Sequence, residues 1–469
     1  MGYLGNKPAD SYLTLEKQTF TTSATDTYNL NREVSGVNDI ELFLNNVRQE
    51  PTEAYTISGT TLTLASAITA SDSMYCIYQG RSVGTQAPAT GSVTNAMLAG
   101  SIANSKLAGG IESSKLAFAS YPYRNLIING DMSIAQRGTS VSSITTSGYR
   151  TMDRWNFATD LGTWTMSQET DVPTGQGFAK SLKLDCTTAN ASPSAGNFLV
   201  LEQKIEGQNL QMLKKGTSNA ESLTMSFWVK SSKTGTYICE LLDTDNSRQI
   251  SKSYTINSAN TWEKKTLTYD GDTTGAFNND NAESLRIDFW LGAGSTFTGG
   301  TLSTTWTATS NGDRVAGSVN LADSTSNNWY ITGVQLEVGT SASDFEFLPH
   351  DINLQRCLRY TQKHPQKSDG GAYKVIAQGM ADGGTLALCN INPLPVEMRA
   401  TASLSSSGSF RAHRPTGASS VSSIAINSDH VGSTTFAIRV NTSSLTTGHS
   451  IFLEQNNDID AHVLLDSEL

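Results

Sequence analysis

The sequence predicts an all-β protein assembled from several modules, and three observations carry that prediction. Only 37% of its 469 residues are hydrophobic and 16% charged, with just 11 prolines. Such a chain, rich in Ser, Thr, Asn and Gly, makes many turns and threonine-rich strands around modest cores. Apolar residues recur in short alternating runs separated by turn residues, the period of half-buried strands. Between these runs lies a stretch too poor in apolar residues to fold alone. At about 150 residues per domain, the length implies roughly three globular domains.

Residues 1–88 have hairpin grammar. Residues 40–44 (IELFL) run into Asn45-Asn46, a turn signal, and then Val47-Arg48-Gln49-Glu50-Pro51. Residues 55–57 reach Ser58-Gly59 and are followed by residues 61–64 (TLTL), while Met74, Cys76 and Tyr78 alternate with Tyr75 and Ile77 in a closing strand. These strands predict a small β-sandwich.

A nine-residue period follows: GSVTNAMLA, GSIANSKLA and GGIESSKLA occupy residues 91–117. Each unit carries one β-branched and one leucine anchor, at Val93/Leu98, Ile102/Leu107 and Ile111/Leu116. Two apolar side chains per unit cannot close a core within one chain, so the anchors are expected to bury against copies of themselves, in a thin stem over residues 89–122 shared by several chains. A flexible Gly/Ser/Ala linker is the plainer alternative.

All seven tryptophans fall between Trp155 and Trp329, within residues 123–350, which marks a separate module. Side chains alternate across a strand, so each run can be divided into faces. In residues 223–230 the apolar face is Leu223, Met225, Phe227 and Val229, which leaves Trp228 with Thr224, Ser226 and Lys230. In residues 285–291 the core face is Leu285, Ile287, Phe289 and Leu291, and Trp290 sits with Arg286 and Asp288. In residues 329–338 the apolar face reads as Tyr330, Val334, Leu336 and Val338, with Trp329 opposite. An indole among polar neighbours is what a sugar site requires, since the ring stacks on the C–H face of a pyranose while amides, carboxylates and Arg bond its hydroxyls. Trp228, Trp290, Arg286, Asp288 and Trp329 are therefore the candidate carbohydrate-binding residues. The competing reading is that a loop, a second layer or a neighbouring subunit covers these rings.

Residues 125–347 carry LIINGDM at the start, LTMSFWVKS at 223–231, NTWEKKTLTY at 260–269 and WYITGVQLEVG at 329–339. In order and spacing they resemble the jelly-roll carbohydrate-binding modules found beside glycoside hydrolases. The continuation VQLEVGTSASDFEFLPHDINLQRCLRYTQK, at 334–363, resembles the exit from such a module in bacteriophage tail fibres and other phage host-recognition proteins. The N-terminal GYLGNKPADSYLTLEKQTF, with ELFLNNVRQEP and YTISGTTLTLASAITASDSMYCIYQG, resembles the virion-attachment end of tail fibres in marine and cyanobacterial phages. The resemblance implies a homotrimer with threefold symmetry. It implies attachment of residues 1–88 to tail adaptor or nozzle proteins of the virion, and binding of host surface polysaccharide or lipopolysaccharide by the distal β domains. It also places the protein on the virion tail after folding in the host cytoplasm. A purely structural spacer and a polysaccharide depolymerase are the alternatives.

The remaining signals narrow the function. A net charge of −10 without a basic run argues against nucleic-acid binding. No apolar run approaches the roughly 18 residues of a membrane span, and residues 1–10 do not read as a signal peptide. Cys76, Cys186, Cys239, Cys357 and Cys389, odd in number and widely spaced, are expected to be reduced and buried. Carboxylate pairs for a glycosidase exist at Asp243/Asp245, Asp270/Asp272 and Asp280/Glu283, but all lie in turn-like segments, and the six histidines are scattered singly. The expectation is therefore a non-enzyme that requires no cofactor. Related jelly rolls hold a structural calcium between the first strand and the last, and Asp131 and Glu337 occupy those ends. Two oxygen ligands fall short of the roughly six to eight that calcium takes, so ordinary surface carboxylates are the simpler reading.

Residues 351–469 open with helical spacing at 353–362 (NLQRCLRYTQ). Six short strands follow, at 373–380, 385–390, 403–411, 423–427, 434–440 and 451–454. This C-terminal β domain lacks Trp and suits a trimer-locking or a receptor-reading tip.

Overall fold

The computed structural model describes residues 15–79, 123–366, 372–391 and 394–469. The chain divides into two compact units, Met1–Gly110 and Ile111–Leu469. The stem anchors Val93, Leu98, Ile102, Leu107, Ile111 and Leu116 lie outside the described residues. The fold is all-β, with several antiparallel sheets.

In the first unit, Lys17–Phe20, Met74–Tyr78, Ile40–Leu44 and Val47–Arg48 form a four-stranded sheet in that order, and Thr27–Asn29, Thr61–Leu64 and Tyr55–Ser58 a three-stranded one. Asn45 and Asn46 take φ values of 50° and 64° between Leu44 and its partner Val47. A two-residue hairpin of the favoured twist needs this left-handed pair, and asparagine tolerates it. Leu42, Leu62, Met74, Cys76 and Tyr78 are fully buried in one apolar cluster.

The Trp-rich module of the second unit stacks two antiparallel sheets. The six-stranded sheet runs Glu263–Tyr269, Leu223–Ser231, Asn328–Val338, Ser181–Thr188, Thr163–Glu169, Ser140–Ile144. The seven-stranded sheet runs Thr307–Ala308, Arg248–Ile256, Gly235–Asp243, Glu283–Ala293, Phe198–Glu206, Asn156–Thr159, Gly148–Tyr149. Neighbouring strands distant in sequence, such as Leu223–Ser231 beside Asn328–Val338, give the crossed connectivity of a double-sheet sandwich. Met225, Phe227, Trp164 and Leu184 from one sheet meet Cys239, Ile287, Phe289 and Leu201 from the other in a shared core.

One bulge corrects the face assignment of Trp329. Ser226 lies opposite Gln335 and Trp228 opposite Thr332, so the strand Asn328–Val338 holds one residue more than its neighbour over this stretch. Gly333 sits at the bulge with φ 62°, where a Cβ would fall 2.5 Å from the Phe178 ring. The extra residue reverses the parity of the strand. Val334, Leu336 and Val338 face the core after the bulge, and Trp329 and Ile331 face it before. Trp329 is fully buried, and Tyr330 takes the outer face expected for Trp329.

The C-terminal module begins with helix His350–Leu358, three residues earlier than its sequence period predicts. It ends at Leu358 because Thr361–His364 pairs as a strand with His462–Asp466. That strand joins Ser403–Ser407 in a three-stranded sheet, and the other seven strands, from Gly417–Ser420 to Ser423–Val431, form a second sheet. Its core gathers Ala387, Phe436, Ile438, Val440 and Leu453. The five cysteines are free and buried. Burial pushes the Cys76 and Cys186 thiols up to about 11 and the Cys389 thiol to about 12.

The two modules of this unit meet through buried charge. Arg137 reaches Asp466 at 2.8 Å, Arg154 pairs with Glu468, and Arg359 reaches Glu206 at 2.7 Å, with the Tyr360 hydroxyl donating to the same carboxylate. Glu206 is fully buried, and burial raises its carboxyl, but hydrogen bonds from Arg359 and Tyr360 outweigh this and hold it below the usual range.

Candidate functional site

The sequence places Trp290, Arg286 and Asp288 on the outer face of the seven-stranded sheet, and they are there, but not open to a ligand. The segment between Ala293 and Leu321 folds across them. Val315, Phe297 and Leu302 pack with Trp290, Ile238 and Val200 in a second apolar cluster, and Trp290 keeps only 2% of its surface. Its indole N–H donates to Glu240 Oε2 at 2.8 Å. Arg314, carried in by the same loop, bonds Glu240 at 2.8 Å and Asp288 at 3.1 Å. Arg286 spends its guanidinium on Asp288 at 2.9 Å. These residues are a structural lock beneath a loop.

Its carboxylates Asp288 and Glu240 belong to one row of side chains straight across four strands, with Asn156, Glu202, Asp288 and Glu240 in register. Burial, with the Asp288 charge adding, pushes the Glu202 carboxyl up to about 7 against the opposing pull of Arg286.

The outer face of the six-stranded sheet is built differently. Trp228 is half-buried there, opposite Lys264 and Thr332. In the next row Lys230 lies opposite Tyr330, and Tyr330 opposite Lys183. Trp262, just before the strand Glu263–Tyr269, completes the row. Its ring stands 6.1 Å from that of Tyr330 at 71°. The Lys230 ammonium lies 4.1 Å from the Tyr330 centroid and 5.4 Å from the Trp262 ring, a cation–π arrangement.

Asp171 ties the cluster together, accepting from Trp262 Nε1 at 2.9 Å and pairing with Lys230. Partial burial raises its carboxyl, and the bonds from Lys230 and Trp262 more than reverse that, leaving it below the ordinary carboxylate range. Its side chain stays half exposed, as do the rings of Trp228, Trp262 and Tyr330 in part. Lys183 and Asp185, 3.3 Å apart, and Lys264 supply polar groups at the margin. Three aromatic rings with charged hydrogen-bonding groups among them can take the C–H face of a sugar and bond its hydroxyls.

Of the five candidate residues, only Trp228 therefore belongs to an open aromatic face. Trp262 and Tyr330 join it unannounced. The signal for Trp262 lay in NTWEKKTLTY, where Leu267 and Tyr269 mark the buried face and even-numbered residues fall outside; Tyr330 was hidden by the bulge at Gly333.

Most of the other candidates are consumed by the fold, Asp270 and Asp280 staying exposed. Lys215 bridges Asp243 at 2.5 Å and Asp272 at 3.0 Å, and Arg248 bonds Asp272 at 2.6 Å. Asp245 accepts from the Asn278 backbone at 2.9 Å, and Glu283 pairs with Lys204 at 3.2 Å. The proposed calcium pair is corrected too. Asp131 accepts from Ser133 and Asn353, both at 3.0 Å, while Glu337 accepts from Gln335 and Ser343. Among the described residues no group of three or more His, Cys, Asp or Glu could hold a metal ion. No helix among them is long and apolar enough to cross a membrane.

No protein-family model matches the chain, and no curated protein does. Among solved structures, it is similar to the enzymatically active domain of tailspike protein 4 from bacteriophage CBA120, at 17% identity and a TM-score of 0.25, over 46% of this chain and 22% of that one. It is similar to TmCBM61 in complex with beta-1,4-galactotriose, at 10% identity and a TM-score of 0.24, over 46% of this chain and 99% of that one. It is also similar to the CBM22-1 xylan-binding domain of Paenibacillus barcinonensis Xyn10C, at 12% identity and a TM-score of 0.21, over 45% of this chain and all of that one.

Proposed function

We propose that this chain is a homotrimeric phage tail-fibre protein that attaches to the virion through residues 1–88 and binds host-surface glycan through its central module. The observation that carries the binding role is the open aromatic face of Trp228, Trp262 and Tyr330, with Lys230 and Asp171 set among the rings. An aromatic cluster left partly in water beside charged groups is a poor use of side chains that otherwise bury well, unless it meets an amphipathic partner. The fibre context rests on the stem repeat and on the motif at residues 334–363. The reading is of a binding protein without catalysis, supported by Asp243 and Asp272, two of the candidate carboxylates, being taken up by Lys215 and Arg248.

The test is glycan-array and host-cell binding by the full chain, compared with Trp262→Ala and Tyr330→Ala variants of unchanged melting temperature. Loss of glycan binding in both variants is expected. A full chain that binds no glycan above background would leave the module a spacer.

A further inference from the structure

A second feature of the same unit lies away from the aromatic face. Between the Trp-rich module and helix His350–Leu358 is a cavity of about 410 Å³, within the range of small-molecule sites, roughly 300–1,000 Å³. Its wall is basic in a chain whose net charge is −10: Arg154, Lys204, Arg356 and Arg359 line it, and no acidic side chain does among the described residues.

Three of those cations are already matched. Arg154 pairs with Glu468, Lys204 with Glu283, and Arg359 with Glu206. Arg356 has no ion pair among the described residues; its one hydrogen bond there goes from Nη2 to the Asn125 carbonyl, at 3.2 Å. Burial draws its pKa down against the opposing pull of its neighbours, the Glu346 carboxylate among them. A guanidinium is a planar fork of five donors, so most of this one's capacity is left for a partner.

The rest of the wall suits a sugar ring. Leu126, Ile128 and Met212 are apolar, Tyr123 adds aromatic surface, and Asn209 contributes an amide. Met212 and Tyr123 stay 36% and 56% exposed at the rim, which leaves the mouth accessible. We infer that this cavity binds an acidic sugar residue of a glycan, with its carboxylate held by the Arg356 fork and its ring against Met212 and Tyr123. A carboxylate matches the guanidinium in a bidentate pair, which a neutral hydroxyl cannot reproduce.

The inference stands apart from the aromatic face, so it is tested in the full chain carrying Trp262→Ala. The probes in calorimetric titration are trigalacturonic acid, neutral galactotriose and inorganic phosphate. Trigalacturonic acid is expected to bind at one site per chain. Arg356→Gln should weaken it at least tenfold without a change in melting temperature, and Met212→Trp, which fills the mouth and leaves Arg356 in place, should do the same. If Arg356→Gln lowers the melting temperature, Met212→Trp decides. Equal binding of galactotriose, phosphate binding as tight as trigalacturonic acid, unchanged affinity in Met212→Trp, or no binding of trigalacturonic acid would each overturn the inference.

Discussion

Arg154 and Glu468, 314 residues apart, form an ion pair in which both side chains are almost wholly excluded from water. The Arg154 guanidinium also lies 3.4 Å from the centroid of the Tyr360 ring and donates to the Lys204 carbonyl at 2.6 Å. One side chain thus binds a strand of its own module and two residues of the C-terminal one.

Removing one partner strands the other as a buried charge. Glu468→Ala is expected to cost about 3–5 kcal/mol of unfolding free energy, whereas Arg154→Met combined with Glu468→Met should recover most of it. Urea denaturation of the three proteins checks this, and equal losses in the single and double variants would contradict it.

Trp290 and Trp228 should part company. Trp290→Ala empties a packed site under the 294–321 loop and is expected to cost about 3–5 kcal/mol of stability. Trp228→Ala, on the open face, should leave the melting temperature nearly unchanged and cost about 1 kcal/mol of glycan binding, the scale of one aromatic contact. Thermal melts and binding isotherms on the same two proteins separate these effects.

Glu202 gives a pH dependence of definite sign. Its folded-state carboxyl is raised to about 7, so the folded protein holds a proton there that the unfolded chain releases near the ordinary carboxylate value. The stability this contributes is present at acid pH and is lost as pH rises through about 7. Glu202→Gln should therefore flatten the fall in melting temperature between about pH 5 and pH 8. A wild-type melting curve that rises over this window would contradict the assignment.

Gly333 is the fourth test. A side chain there must adopt φ 62° and displace the Phe178 ring, so Gly333→Val is expected to destabilise the module by at least about 1–3 kcal/mol. Chemical denaturation measures it, with Gly339→Ala, whose φ is 120°, as a second positive-φ position just past the end of the same strand.

The local structure was readable where one period ran unbroken. Leu285, Ile287, Phe289 and Leu291 face the core as their alternation requires, and Asn45-Asn46 is a hairpin turn. What escaped depended on residues far away in the chain. Trp290 stands on the polar face that its strand predicts, yet Val315 and Arg314, some 25 residues on, close over it. Trp329 changed sides through a single inserted residue that only the neighbouring strand's register reveals. The helix near residue 350 stopped early because His462–Asp466 offers its tail a strand partner about 100 residues later. Trp262, by contrast, was within reach of the same face argument that found Trp228.

The chain enters and leaves the Trp-rich module at one place. The Asn125 amide donates to Glu346, Arg124 donates to the Asp344 carbonyl at 2.7 Å, and the Leu126 amide donates to the Leu336 carbonyl at 2.9 Å. Tension applied along the backbone from residue 124 toward residue 346 therefore passes first across the Arg124 and Asn125 bonds, loading them before the strands between them. The aromatic face, held on strands inside that short circuit, is shielded from the pull until the clasp at Arg124 and Asn125 gives way.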